Sequence, residues 1–253
     1  MRIFRGFDNL PDFRCGVATI GSFDGVHCGH RTLLDRVRNI AEEVGGESII
    51  LTFDPHPRIT LGKADNLRLL SSTEEKMHLL EAEGIDNVII IPFTEEFSKL
   101  SPTEFLQSLL IEKVGIGHLV VGYNHHFGHN KAGDFDFLTC NNAGIKVERV
   151  NQHRVESDKV SSTVIRNTIE RGDMDQAARL LGHPYIIIGK YSADGLIVHP
   201  EQEYKQLPPA GEYLVRVGKE NGVLTITEDG SIRLNIHTEK PQKHESIVIE
   251  FGV

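Results

Sequence analysis

The chain has 253 residues, 39% hydrophobic and 25% charged, with a formal net charge of −9 at pH 7. That length supports a real core, in one large domain or two modest ones, and the composition is that of an ordinary globular protein. The acidity argues against a nucleic-acid sleeve or a binder of anionic membranes, while leaving room for a local positive site.

Cys15, Cys28 and Cys140 are scattered and odd in number, which excludes a disulfide framework and a CxxC metal knuckle. Met1-Arg2-Ile3-Phe4-Arg5 leads into polar residues with no apolar signal core, and no run is long enough to span a bilayer. The expected location is the cytoplasm, with no nucleic-acid or membrane partner; the oligomeric state is left open.

Up to about residue 182, β-type runs alternate with helical patterns. Cys15–Ile20 predicts a strand, and Leu33, Leu34, Val37, Ile40, Ala41 and Val44 recur at helical spacing, so a helix opens near Gly29. Ser48–Phe53 predicts a second strand. Ser72 and Glu75 form a capping box ahead of Met77, Leu79 and Leu80, and Gly84 ends that helix. Val88–Ile91 reads as a buried strand. Ser101, Pro102 and Glu104 supply the cap, first-turn proline and third-position acid of a helix that Gly115 ends. His118–Gly122 and Ile145–Val150 complete the strands. The alternation implies an α/β domain: a parallel sheet with helices on both faces, where ligands collect at the carboxyl ends of the strands.

Ser161 to Leu181 reads as two short helices, the second capped by Asp173 with Gln176. Beyond Gly182 the pattern changes to short strands at Tyr185–Ile188, Glu212–Val217, Val223–Thr227, Ile232–Ile236 and Ser246–Phe251. The expected division is therefore residues 1–184, an α/β domain, and residues 185–253, a small all-β, barrel-like domain.

Four segments carry chemistry. In Gly21-Ser22-Phe23-Asp24-Gly25-Val26-His27-Cys28-Gly29-His30 a glycine-rich turn joins a strand to a helix N-terminus, whose free N–H groups favour an anion. Gly21, Gly25 and Gly29 permit close backbone approach, and His27 and His30 can share one side of the first turn. The plainer alternative is a βα turn with two surface histidines. In Val160-Ser161-Ser162-Thr163-Val164-Ile165-Arg166, hydroxyls at a helix start stand one turn from a guanidinium. That suits either a simple N-cap or a second phosphate clamp.

Val121-Gly122-Tyr123-Asn124-His125-His126-Phe127-Gly128-His129 follows a strand. Its histidines invite a metal reading, but neighbours in an extended loop point apart and no acid interrupts them. Asn124 and Phe127 would instead offer an amide and an aromatic face to a flat ring. Thr52-Phe53-Asp54-Pro55-His56-Pro57 is a proline-stiffened loop at another strand end, readable as a ligand loop or a mere connection. There is no GxxxxGK[ST], and Gly115-Ile116-Gly117 lacks the third glycine of a dinucleotide fingerprint.

Taken in order, these segments resemble the adenylyltransferase module of prokaryotic FAD synthetases, the bifunctional riboflavin kinase/FMN adenylyltransferases. The resemblance runs from about residue 14 to Tyr185. It implies an HxGH nucleotidyltransferase-type, Rossmann-like fold that transfers AMP from ATP to FMN, giving FAD and pyrophosphate. ATP and FMN are then substrates, and Mg²⁺ is held mainly by substrate phosphates with no protein metal site. His27, His30 and Arg166 would be catalytic; Gly21, Phe23, Asp24, Gly25, Gly29, Ser162 and Thr163 would bind ATP; Phe53, His56, Pro57, Asn124 and Phe127 would hold FMN.

Phosphate-binding histidines need their donor or cationic form, so activity is expected to weaken well above the imidazole range. The later residues resemble a decayed flavokinase. Pro208–Val217 is similar to one of its strands, but Pro-Thr-Ala-Asn is absent and Asn235 stands where the family carries a glutamate base. An amide cannot take a proton, so kinase activity is expected to be lost. Two other functions stay open: nucleotidyl transfer to a different phosphorylated acceptor, and a non-catalytic flavin- or nucleotide-binding regulator.

Overall fold

A computed structural model describes residues 1–62, 67–151, 154–155, 158–191, 197–198, 204–236 and 246–252. In chain order, β1 (Arg2–Arg5) and β2 (Gly16–Ile20) precede α1 (Cys28–Glu43), and β3 (Ser48–Asp54) and the short α2 (Pro57–Thr60) lead to α3 (Thr73–Ala82). Next come β4 (Asn87–Pro92), α4 (Glu95–Ser98), α5 (Pro102–Glu104), β5 (Ile116–Gly122), α6 (Phe135–Cys140) and β6 (Lys146–Val150). A hairpin of β7 (Arg154–Val155) and β8 (Asp158–Lys159) precedes α7 (Ser162–Glu170) and α8 (Met174–Leu181). The chain ends in β9 (Ile186–Tyr191), β10 (Ile197–Val198), β11 (Gly211–Val217), β12 (Glu220–Ile226), β13 (Ile232–Ile236) and β14 (Ser246–Phe251).

Two compact units result: Met1–Phe23, Gly29–Asn66 and Leu80–His153 in the first, Asp24–Cys28, Leu67–Leu79 and Arg154–Val253 in the second. The first holds a six-stranded sheet in the order β1-β4-β3-β2-β5-β6, with every neighbouring pair parallel. From β2 the chain steps outward to β3 and β4, then returns to lay β5 on the other side of β2. That reversal opens a crevice between β2 and β5 at the carboxyl ends, where open α/β sheets bind ligands. All five residues of β2 are buried, as a strand covered on both faces requires. Ala18, Ile20, Ile49, Leu51, Ile89 and Val121 pack with Phe105, Leu106 and Leu110 in its core.

The sequence-predicted strands and long helices are present, with differences that have physical reasons. The sequence pattern predicts no strand at Arg2-Ile3-Phe4-Arg5, yet it is an edge strand in register with β4, Arg2 facing Asn87. A four-residue, largely exposed strand carries little apolar signal of its own. The helix capped by Ser101 and Glu104 forms with both arms of its capping box, then continues as a π-helix over Phe105–Lys113. Apolar spacing does not encode that change of pitch.

The second unit contains an antiparallel, curled half-barrel sheet in the order β10-β9-β14-β11-β12-β13. Its core joins Ile165 and Ile169 of α7 and Ala177, Leu180 and Leu181 of α8 to Ile187, Val215, Leu224 and Ile249. Asp173 caps α8 by accepting from the Gln176 N–H at 3.0 Å, and Gly182 ends it in the left-handed region at φ 81°.

Candidate active site

Within the second unit, the turn ahead of α1 and the start of α7 build one charged cluster. The Asp24 carboxylate is 4% exposed. Its Oδ1 accepts from the Leu70 N–H at 2.8 Å and the Ser71 N–H at 3.1 Å, and its Oδ2 accepts from Arg166 Nη2 at 2.7 Å. Ser162 Oγ donates to the Asp24 carbonyl at 3.3 Å, and the Gly25 N–H donates to Ser71 Oγ at 2.9 Å. Asp24, Ser162 and Arg166, 142 residues apart at the extremes, are thereby held together.

The Arg166 side chain is 14% exposed, and among the described residues its Nε has no hydrogen-bond partner. One edge of the guanidinium is fixed by Asp24 and another donor remains for an anion. Ser161 caps α7, and Thr163 lies exposed in its first turn. Gly25, at φ 77°, has a second duty: a Cβ there would stand 2.9 Å from Leu70, so its bareness serves packing as well as the turn. Val26 also has positive φ, 40°, a conformation that β-branched residues strongly disfavour.

His27 is buried, and Asp24, His183 and Arg166 all act on it electrostatically. Burial lowers its pKa from 6.5 to about 4, outweighing the pull of Asp24, while His183 and Arg166 push the same way as burial. In the ligand-free protein His27 is therefore a neutral donor near pH 7. Of the two forms expected from sequence, donor or cation, burial favours the neutral donor in this residue.

Stability carries the same signature. Between pH 4 and 6.5 the unfolded chain binds a proton that folded His27 refuses, so the contribution is fully present above 6.5 and is lost as pH falls through 4. The unfolding free energy from denaturant titrations is expected to drop across that window, by up to about 3 kcal/mol from this group. A His27→Gln variant should show a shallower fall; an unchanged slope would remove the assignment.

The first unit contains the other predicted residues. Phe23 is 1% exposed and fills the space that a side chain on Gly21 would occupy, its ring 5.2 Å from that of His30. Phe23 is thus buried under the turn, beside His30, instead of presenting an open face. Gly29 occupies the first turn of α1.

At the carboxyl ends of β2, β3 and β5 lies a cavity of about 550 Å³. Gly21, Phe53, His56, Pro57 and Phe127 line it, so four of the five residues expected to hold FMN are brought together. Asn124 is the exception; it sits exposed in the turn after β5 and does not line the cavity. The loop starting at Phe127 is closed by paired bonds with Gly133, each 3.0 Å. Sequence reasoning missed the rest of the wall: Phe93, Phe97 and Phe105 on the aromatic floor, and Arg58, His126, His129 and Lys131 among the basic groups. Phe93 and Phe97 stand 5.5 Å apart, and the His125 ring stacks on Phe127 at 5.6 Å and 21°. Burial takes the His125 pKa down to about 4. An aromatic floor with a basic rim suits a flat ring that carries an anionic group.

Comparison with known proteins identifies the family. Residues 11–164 match the family model described as FAD synthetase. A bifunctional riboflavin kinase/FMN adenylyltransferase from Pseudomonas fluorescens is 34% identical, over 94% of this chain and 83% of its own length. A protein of Listeria monocytogenes named FAD synthetase is 33% identical over 92% of both chains. The same organism's bifunctional enzyme matches at 32% over 74% of this chain and 58% of its own. Among solved structures, a macrolide-efflux protein from Streptococcus pneumoniae superposes with a TM-score of 0.83, covering 99% of this chain and 88% of that one at 21% identity, which speaks to fold alone. With the family model spanning the strand–turn–helix motif and most of the parallel sheet, the chain belongs to the FAD synthetase family.

Proposed function

We propose that this protein is an FMN adenylyltransferase, a nucleotidyltransferase that moves AMP from ATP to FMN and releases pyrophosphate. The observation carrying this reading is the Asp24–Arg166 pair, which leaves a buried guanidinium donor beside neutral His27 and the N-terminus of α7. That set suits a triphosphate.

The attacking group is the FMN phosphate, already anionic at neutral pH, so no general base is required. The chain's task is alignment and relief of charge on the departing pyrophosphate. Arg166, His27, Ser162 and Thr163 would share it. Among the described residues no group of three His, Cys, Asp or Glu is placed to hold a metal, and the Asp24 carboxylate is taken up by Arg166 and two N–H groups. We place the ion on the substrate phosphates, the Asp24 carboxylate being engaged elsewhere. Such a Mg²⁺ would supply charge neutralisation when bound. Phe53, His56, Pro57 and Phe127 would seat the flavin.

We also propose that residues 185–253 form a remnant of a riboflavin kinase module without its activity. Asn235, on β13 opposite Val223, is exposed and offers no base, while the adjoining His237 lies outside the described residues. The even, 92% coverage with a relative named only FAD synthetase supports this.

The test is incubation of the chain with ATP, Mg²⁺ and either FMN or riboflavin. FAD and pyrophosphate are expected from FMN, and no FMN from riboflavin. Turnover only with another phosphorylated acceptor would replace the acceptor, and flavin binding without turnover would make the protein a binder.

A further inference from the structure

The second unit buries a complete ion pair that the transfer chemistry does not itself call for. Lys205 and Glu75 have side chains 3% and 2% exposed, with Lys205 Nζ donating to Glu75 Oε2 at 2.6 Å. The same ammonium donates to the Leu70 carbonyl at 2.7 Å and the Ile186 carbonyl at 2.9 Å, and it sits 4.3 Å from the Tyr185 ring centroid. Glu75 also accepts from the Ile188 N–H at 2.9 Å and the Ser72 N–H at 2.7 Å. Backbone bonds bind the two segments: Gln206 N–H to the Leu69 carbonyl at 2.7 Å, and Leu69 N–H to the Tyr204 carbonyl. Buried pairs of this kind seldom add net stability over apolar packing, and their best-attested service is to fix geometry.

The geometry fixed here is that of Asp24. The Leu70 carbonyl held by Lys205 and the Ser71 N–H given to Asp24 belong to one peptide group. Positive Lys205, that peptide, negative Asp24 and positive Arg166 form an unbroken chain of alternating charge. A cation on the carbonyl polarises the peptide, so its N–H donates more strongly to the carboxylate. The carboxylate in turn holds one edge of the guanidinium.

We infer that Lys205 is a positioning residue for Arg166, acting through the Leu70–Ser71 peptide and Asp24. The β-rich C-terminal region thereby sets the affinity of the polyphosphate site, a role independent of any kinase chemistry. The inference rests on the proposed assignment of Arg166 to ATP.

The main test is Lys205→Met combined with Glu75→Gln, an uncharged pair whose amide oxygen can still accept from the Ile188 N–H. Binding is measured with α,β-methylene-ATP and, separately, with FMN; near-UV circular dichroism reports the fold. The analogue Kd is expected to rise roughly tenfold, the scale of weakening one hydrogen bond to a charged group, with FMN affinity unchanged. In an Arg166→Ala background the same pair of changes should add nothing, because the chain of contacts then leads nowhere. Lys205→Gln, uncharged and shorter but still a donor, should fall between.

A folded double variant with wild-type analogue affinity overturns the inference, as does a loss that persists without Arg166. Failure of both Lys205 variants to fold would make the pair structural and equally end it. Analogue binding is read apart from turnover, so a wild-type chain that makes no FAD defeats the proposed activity without deciding this relay.

Discussion

Replacing Arg166 with alanine is expected to lower the rate of FAD formation by about 10²- to 10³-fold, the range found when one preorganised donor to developing charge is removed. The guanidinium is already oriented before ligand arrives, since Asp24 holds Nη2 at 2.7 Å, and its Nε has no partner among the described residues. Little reorganisation is then needed when charge moves onto the departing pyrophosphate.

Arg166→Lys separates this role from simple charge balance. An ammonium can still pair with Asp24 and should keep stability near wild type, but it cannot hold a carboxylate and present a second fixed donor together. The lysine variant should therefore fold normally and remain at least tenfold slow. Steady-state FAD formation, with thermal unfolding beside it, checks both. A lysine variant with wild-type turnover would reduce Arg166 to a counter-charge for Asp24.

How far this site could be read from sequence follows from the kind of signal each residue leaves. Local chemistry was legible: the glycine turn before α1, the hydroxyls before α7, and the capping pairs Ser72–Glu75 and Ser101–Glu104 all act within a few residues of chain. Strands buried on both faces, such as β2 and β4, announce themselves as continuous apolar runs. What acts across the chain was silent. Asp24 looked like a ligand for ATP, yet its oxygens are occupied by Leu70, Ser71 and Arg166. Neither Leu70 nor Lys205 carries a motif, because one contributes backbone and the other a single ammonium. Phe93, Phe97 and Phe105 belong to none of the four segments that carry chemistry, and the fold alone brings them to the cavity wall. Asn124 errs the other way: its place in a recognisable segment suggested contact, but the turn after β5 leaves it outside that cavity wall.

Asp24 is expected to be the most sensitive position for stability. Asp24→Ala strips the acceptor from two backbone N–H groups and from a largely buried guanidinium at one stroke. Removing one partner of a buried pair costs about 3–5 kcal/mol, and stranded N–H groups cost more than the bonds were worth. For a chain of this size that corresponds to a Tm lower by roughly 10 °C. Asp24→Asn should be milder, since its amide oxygen can keep the Leu70 and Ser71 donors while its NH₂ faces Arg166 donor to donor. The double variant Asp24→Ala/Arg166→Ala isolates the pair. With no orphaned cation, it should be more stable than the sum of the single losses predicts, by at least about 1 kcal/mol. Strict additivity in chemical denaturation would mean that Asp24 and Arg166 are neighbours without being coupled, and the guanidinium would then lack the anchoring on which its phosphate role depends.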